Sequence, residues 1–295
     1  MNNVNITFSK GFNMNLMEIT LGHSPDADDA FMFYAISKKK ISTQNYVFKE
    51  LIVDIETLNN LAFSEKIDLT ALSIYAYCKV AKNYLLMSCG ASMGEGYGPR
   101  LIAKQYFDKK EMVDKKIAVP GLNTSACLVL SLYFEKKPTE LNLFVCPFDK
   151  IFDVVKSGSA DVGLIIHEGQ LSYVLEGLVL CEDLGKWWKK DTGLPLPLGG
   201  NAIRRSLGMD RCRELQSIVK ESIRWALGNR EEAISYARKF SRGSQDSMVE
   251  EFVGMYVNER TLDYGPEGRA AVSEFIQRGK SLGVVDQNLK IEFVE

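Results

Sequence analysis

Ser159-Ala-Asp-Val-Gly-Leu-Ile-Ile-His167 ends a helix-like segment, places one Asp, and then runs apolar until a histidine emerges. Glu65-Lys-Ile-Asp-Leu-Thr-Ala-Leu-Ser73 follows the same plan: a helix end, an Asp, a buried strand. Aligning Asp68 with Asp161 sets Ser73 and His167 near the C-terminal ends of equivalent strands, where open α/β sheets bind their ligands. The echo points to two related units that share a cleft.

The rest of the chain extends this pattern. Strand-like runs at 18–21, 47–53, 69–73, 85–88, 101–103, 116–119, 143–146, 162–166, 178–181 and 201–204 carry the β signal. Segments of helical period at 29–37, 55–64, 75–81, 125–134 and 148–156 lie between them. Such alternation predicts an α/β protein, two-lobed, with parallel-rich sheets flanked by helices. After Met209 only helical segments remain, at 217–227, 230–240, 247–257 and 267–281, giving a helical C-terminal region. Two crossings between lobes are expected, one after the glycine-rich Gly94–Pro99 loop and one at Leu198–Arg204. Residues 17–103 with 203–295 then form a discontinuous first lobe, and 104–202 an inserted second lobe. Residues 1–16 read as an N-terminal extension, with Met14 or Met17 as alternative starts.

Composition narrows the function. Lys+Arg 36 against Asp+Glu 38 leaves a net charge of -2, which argues against nucleic acid or an anionic membrane as partner. The longest apolar runs are strand-sized, and the N-terminus lacks the apolar core of a secretory signal. Six cysteines lie scattered in mostly apolar surroundings with no C-x-x-C, as reduced thiols of a cytoplasmic protein would. Two histidines cannot build a zinc site, and no metal or other cofactor is expected. The expected partner is a small anionic organic molecule. The sequence leaves the oligomeric state open.

Four segments carry candidate chemistry. His167 is the first polar residue beyond a buried strand, and imidazole titrates near neutrality, so it suits a general base; a histidine capping a helix or satisfying a buried carbonyl fits equally. Pro120-Gly-Leu-Asn-Thr-Ser125 joins a strand to a helix, where free N–H groups and the Thr124 and Ser125 hydroxyls suit an anion. Simple N-capping is the alternative. His23-Ser-Pro-Asp-Ala-Asp-Asp29 opens another helix, and its acids complement the positive helix end. Trp187-Trp188 either walls an aromatic substrate or fills the core.

Taken together, these segments resemble the menaquinone-biosynthesis enzymes of the futalosine route, in particular the branch that makes 1,4-dihydroxy-6-naphthoate. The likeness extends from Glu18 to about Phe275. It is carried by Ser24-Pro25, Asp54-Ile-Glu-Thr-Leu-Asn59, Leu72-Ser73, Val119-Pro-Gly-x-x-Thr-Ser125, Gly163-Leu-Ile-Ile-His-Glu168, Asp183-Leu-Gly-x-Trp-Trp188 and Thr192-Gly-Leu-Pro-Leu-Pro-Leu-Gly199. The resemblance implies a type II periplasmic-binding-protein fold and a carbon–carbon lyase acting on cyclic dehypoxanthinyl futalosine. It implies His167 as general base, with substrate contacts at Leu72, Ser73, Thr124 and Ser125 and at the neighbouring position 71. The family's Ser-Pro-Cys-Pro-Asn-Asp reads Ser-Pro-Asp-Ala-Asp-Asp here, and a lysine common two residues before the pocket serine is Ala71. Two other functions fit the same fold: a non-catalytic solute receptor of a transporter, and the sister enzyme that dehydrates chorismate.

Overall fold

The computed structural model describes residues 16–240 and 246–295, so the expected N-terminal extension lies outside it apart from Leu16. The first half of the chain supplies β1 (Met17–His23), α1 (Ala27–Ser37), β2 (Tyr46–Ile52), α2 (Ile55–Phe63), β3 (Leu69–Ser73), α3 (Ile74–Val80), β4 (Tyr84–Leu86), β5 (Ser92–Gly94), β6 (Arg100–Ala103), α4 (Lys109–Met112), β7 (Ile117–Val119), α5 (Ser125–Phe134) and β8 (Leu143–Val145). Then come α6 (Ile151–Ser157), β9 (Val162–Ile165), α7 (Gly169–Ser172), β10 (Val179–Asp183), α8 (Leu184–Thr192) and β11 (Leu196–Arg204). The C-terminal helices are α9 (Met209–Gly228), α10 (Arg230–Ala237), α11 (Asp246–Tyr256), α12 (Glu259–Leu262) and α13 (Gly265–Ser281).

The strands form two sheets, ordered β2-β1-β3-β11-β4 with β5 on β11, and β10-β6-β9-β7-β8. In each, three strands are parallel (β2-β1-β3 and β8-β7-β9) and a long-range strand, β11 or β6, joins antiparallel. The two halves therefore share one arrangement. The aspartates occupy matching places in it: Asp68 accepts the Thr20 N–H and Asp161 the Lys116 N–H, each at 3.0 Å. Each carboxylate ties the start of its own strand to the neighbouring parallel strand, whose next residue pairs directly, Leu21 with Leu69 and Ile117 with Val162. Counted from the aspartates, Ser73 corresponds to Ile166, and His167 stands one residue further on.

The two expected crossings fall at β6 and β11: β6 belongs to the expected first lobe, and the expected boundary at 202/203 divides β11. β6 pairs with β9 and β10 in the second sheet, and β11 pairs with β3, β4 and β5 in the first. The apolar run of β6 shows that it is a strand but carries nothing about which sheet it joins. The start of β11 is hidden by Pro197 and two glycines, and the ladder slips there between Pro197 and Gly199.

α1 is buried from Ala27 to Ile36, packed against β2 and against α9, α10 and α11. α5 is buried along its whole length and packs against α3, α8, α13 and β11. One apolar cluster runs through both lobes, from Tyr77, Leu86 and Met93 to Ile117, Leu128 and Leu164. No helix among the described residues is long and apolar enough to cross a membrane.

Candidate active site

A cavity opens where the two sheets point their strand ends at each other; its empty space, about 730 Å³, includes the part open to solvent. Ala71, Leu72 and Ser73 reach it from the end of β3, and Thr124, Ser125 and Ala126 from the start of α5. Ile166 comes from the end of β9, Pro99 from the crossing loop, and Leu198, Gly199 and Gly200 from β11. The residues singled out at 71–73 and 124–125 thus meet in one place.

Their hydroxyls also hold the walls together. Thr124 caps α5, accepting the Cys127 N–H at 3.1 Å. Ser125 accepts the Tyr75 N–H at 3.2 Å and donates to the Leu198 carbonyl, so it fastens α5 to the first lobe. Asn59 carries both ends of the Ser73 link: its Oδ1 accepts the Ser73 N–H at 3.0 Å and its amide donates to the Ser73 Oγ at 3.3 Å. Glu56, one turn earlier on α2, accepts from the Asn123 side chain at 2.6 Å across the lobes. Capping by Thr124 leaves other donors at the start of α5. The N–H groups of Ser125 and Ala126 fall in its first turn, which the helix's own ladder leaves unused.

The opposite wall is acidic. Asp26, Asp28 and Asp29 border the cavity from the start of α1. Asp29 accepts the Ser24 N–H at 2.7 Å, and burial raises its carboxyl above the usual range, against the pull of His23. Burial raises Asp28 well above that range, and the charges of Asp29, Asp26 and Glu168 add to it. His23 is outside the cavity lining. It donates to the Ser24 carbonyl at 2.9 Å, stacks on Phe33 and lies 3.9 Å from Glu50. Burial lowers its pKa, but Glu50 and Asp29 outweigh that and raise it. Among the described residues no group of three His, Cys, Asp or Glu side chains is arranged to hold a metal ion.

His167 follows β9, one residue past Ile166, which lines the cavity; His167 itself is not among the lining residues. Its ring meets the edges of Phe148 and Phe152, and its side chain keeps 13% of its surface exposed. Nδ1 accepts the Gly169 N–H at 3.0 Å, which puts the proton of a neutral ring on Nε2. Glu168 approaches the same Nδ1 at 3.9 Å. The turn is held from behind by Gln170, whose N–H donates to the His167 carbonyl at 2.8 Å.

Phe252 and Tyr256, four residues apart on α11, also line the cavity. The sequence carried a signal for them, an aromatic pair on one helix face, but nothing there says which face meets a site so far away in the chain. Trp187 and Trp188 do not line it: Trp188 is fully buried and donates to the Pro195 carbonyl at 2.9 Å. The glycines of Gly94–Pro99 serve close packing of the chain on itself, since a Cβ at Gly94 would fall 1.9 Å from the Tyr97 carbonyl oxygen. Cys127, just inside α5, is a buried thiol pushed to about 12 by burial, so it is a poor nucleophile.

The sequence pattern of a family described as menaquinone biosynthesis matches residues 19–281. A Thermus thermophilus protein named 1,4-dihydroxy-6-naphthoate synthase is 36% identical over 277 residues, which cover 94% of this chain and 99% of that protein. A crystal structure from Archaeoglobus fulgidus superposes with a TM-score of 0.85 at 41% identity, covering 91% of this chain and 98% of the other. The ligand-binding component of an ABC-type import system from Staphylococcus aureus superposes with a TM-score of 0.70 at 13% identity, covering 94% and 96%. That last likeness concerns the fold alone.

Proposed function

The chain belongs to the menaquinone biosynthesis family, and from that premise we propose that it is a 1,4-dihydroxy-6-naphthoate synthase, a lyase acting on cyclic dehypoxanthinyl futalosine. The observation that carries the reading is the meeting of Leu72 and Ser73 with Thr124 and Ser125 in one cavity, whose lining residue Ile166 directly precedes His167. The substrate carboxylate lies at the start of α5, where first-turn N–H groups and the helix dipole favour an anion. Among the described residues no lysine or arginine lines the cavity, so the helix end supplies that attraction. Ala71 fits this arrangement, since a small side chain leaves the carboxylate direct access to the helix.

His167 takes the proton that starts fragmentation of the sugar-derived ring, and aromatisation of the naphthoate drives the cleavage. The lone pair it needs is the one Gly169 now occupies, so substrate entry must draw the ring off that amide. Catalytic hydrogen bonds commonly rearrange in this way between free and bound enzyme.

The Thermus relative's name favours this reading over both a transport receptor and the chorismate dehydratase. The test is direct. Purified protein is given cyclic dehypoxanthinyl futalosine, and naphthoate formation is followed for wild type and His167→Asn. Turnover by wild type with a loss on the order of 10²–10⁴-fold in the variant is expected. A wild type without turnover rejects the lyase; a fully active variant keeps the lyase and removes His167 as its base.

A further inference from the structure

The steps assigned to His167 and α5 leave the acidic wall of the cavity without a role. Asp28 sits in the first turn of α1, only 9% exposed, and lines the cavity that Ser125 borders from the other lobe. Among the described residues no ion pair reaches its carboxyl. The groups facing it are acidic or neutral: Asp26 and Asp29 on its own helix, Glu168 from the loop after β9, and the Tyr256 hydroxyl on α11. His23, the nearest cationic group on β1, is committed to Glu50, Asp29 and the Ser24 carbonyl.

An ionised carboxylate in such a place would give up its hydration without gaining a cation, beside further negative charges. The N–H groups at the start of α1 favour the charged form, as does the Asp29 amide, but burial and like charge outweigh them. Burial and the neighbouring acids thus favour the acid form, and a protonated carboxyl is a donor where an ionised one can only accept.

We propose that Asp28 acts as a neutral carboxylic acid that donates its O–H to a carbonyl or hydroxyl oxygen of the bound substrate, and so decides which way round the substrate lies. Asp26, Asp29 and Glu168 repel a carboxylate, and the start of α5 attracts one. The charged end of the substrate therefore goes to α5 and its uncharged, oxygen-rich end to Asp28. As negative charge builds on that oxygen after proton removal, the donated hydrogen bond strengthens, which lowers the barrier. This role rests on the lyase reading of the cavity.

Two measurements test it, and one does not depend on turnover. Difference infrared spectra of the full chain at neutral pH, with and without 1,4-dihydroxy-6-naphthoate, should contain a protonated-carboxyl band that is missing from Asp28→Asn and shifts when the product binds. Absence of the band, or a band the product leaves in place, overturns the proposal. In steady-state assays Asp28→Ala should lower kcat/KM on the order of 10²-fold. Asp28→Asn, with a donor of the same shape, should recover about tenfold of that loss, and its rate should not fall at alkaline pH where the wild-type rate does. An Asn variant no better than Ala would show that a carboxylate is required and would refute the donor role. If wild type turns nothing over, the lyase reading fails and the infrared result alone decides the state of Asp28.

Discussion

The Tyr256 hydroxyl on α11 donates to Oε1 of Gln170, three residues beyond His167, at 3.0 Å. Gln170 is fully buried, its carbonyl accepts from Arg100, and its own Nε2 has no partner among the described residues. The C-terminal helices of the first lobe thus brace the loop that carries the proposed base. Tyr256→Phe removes the bond and leaves a second buried amide atom unsatisfied, at a cost of about 1–3 kcal/mol in urea denaturation. Its kcat should fall more than its KM rises, because the loop loses its support while the α5 wall is untouched. Equal effects on kcat and KM would place Tyr256 in substrate binding instead.

Gly169 gives a sharper handle on the histidine. A Cβ there would stand 2.7 Å from His167 Cε1 and 2.8 Å from Phe152. Gly169→Ala should therefore turn the ring away and lower kcat by at least about tenfold, within the range general-base catalysis contributes. Product affinity, measured by calorimetry, should change little. Undiminished kcat would mean that the ring position seen here is irrelevant to the chemistry.

Ser125 joins the lobes through its hydroxyl, so Ser125→Ala strands the buried Tyr75 N–H and frees the Leu198 carbonyl. A loss of about 1–3 kcal/mol in stability is expected, with a raised KM. An unchanged denaturation midpoint would show that water or another donor replaces the hydroxyl at no cost.

Asp28 makes stability depend on pH in a definite direction. Its folded value is held above the ordinary 3.8, first by burial and then by Asp29, Asp26 and Glu168. The folded chain keeps a proton that the unfolded chain releases, so this group's contribution falls as pH rises from about 4 through the folded value. Asparagine does not titrate. Asp28→Asn should gain on wild type as pH increases, in denaturant titrations between about pH 5 and pH 8; a gap that stays constant would mean Asp28 ionises normally.

Much of this layout was legible in the sequence because short, wholly apolar strands behind a single Asp are hard to read otherwise. β3 lies where its pattern put it, Leu69–Ser73, and α5 matches Ser125–Phe134. What the sequence hid has physical causes. β5 is a short strand, Ser92–Gly94, with no room for an alternating pattern. α8 carries Leu184 and Trp188 on its buried side amid lysines, so its helical period is too sparse to stand out beside the tryptophan pair. The register of His167 depended on one residue: the two aspartates fix Ile166, not His167, as the counterpart of Ser73, and a strand's faces alternate at every step. The aromatic wall from α11 depends on tertiary packing that local periodicity cannot encode.

The two kinds of contact between the lobes bear on the heat of ligand binding. The apolar cluster joining them is a common core, whereas around the cavity they meet through hydrogen bonds: Tyr256 with Gln170, Asn123 with Glu56, and Tyr75 with Ser125. A rocking motion that spares the core exchanges only those polar bonds for water and exposes little hydrocarbon. Closure by itself should then add little to the heat capacity of binding, whose negative change should measure the apolar surface buried between the ligand and lining residues such as Met32, Ile55, Leu72 and Phe252.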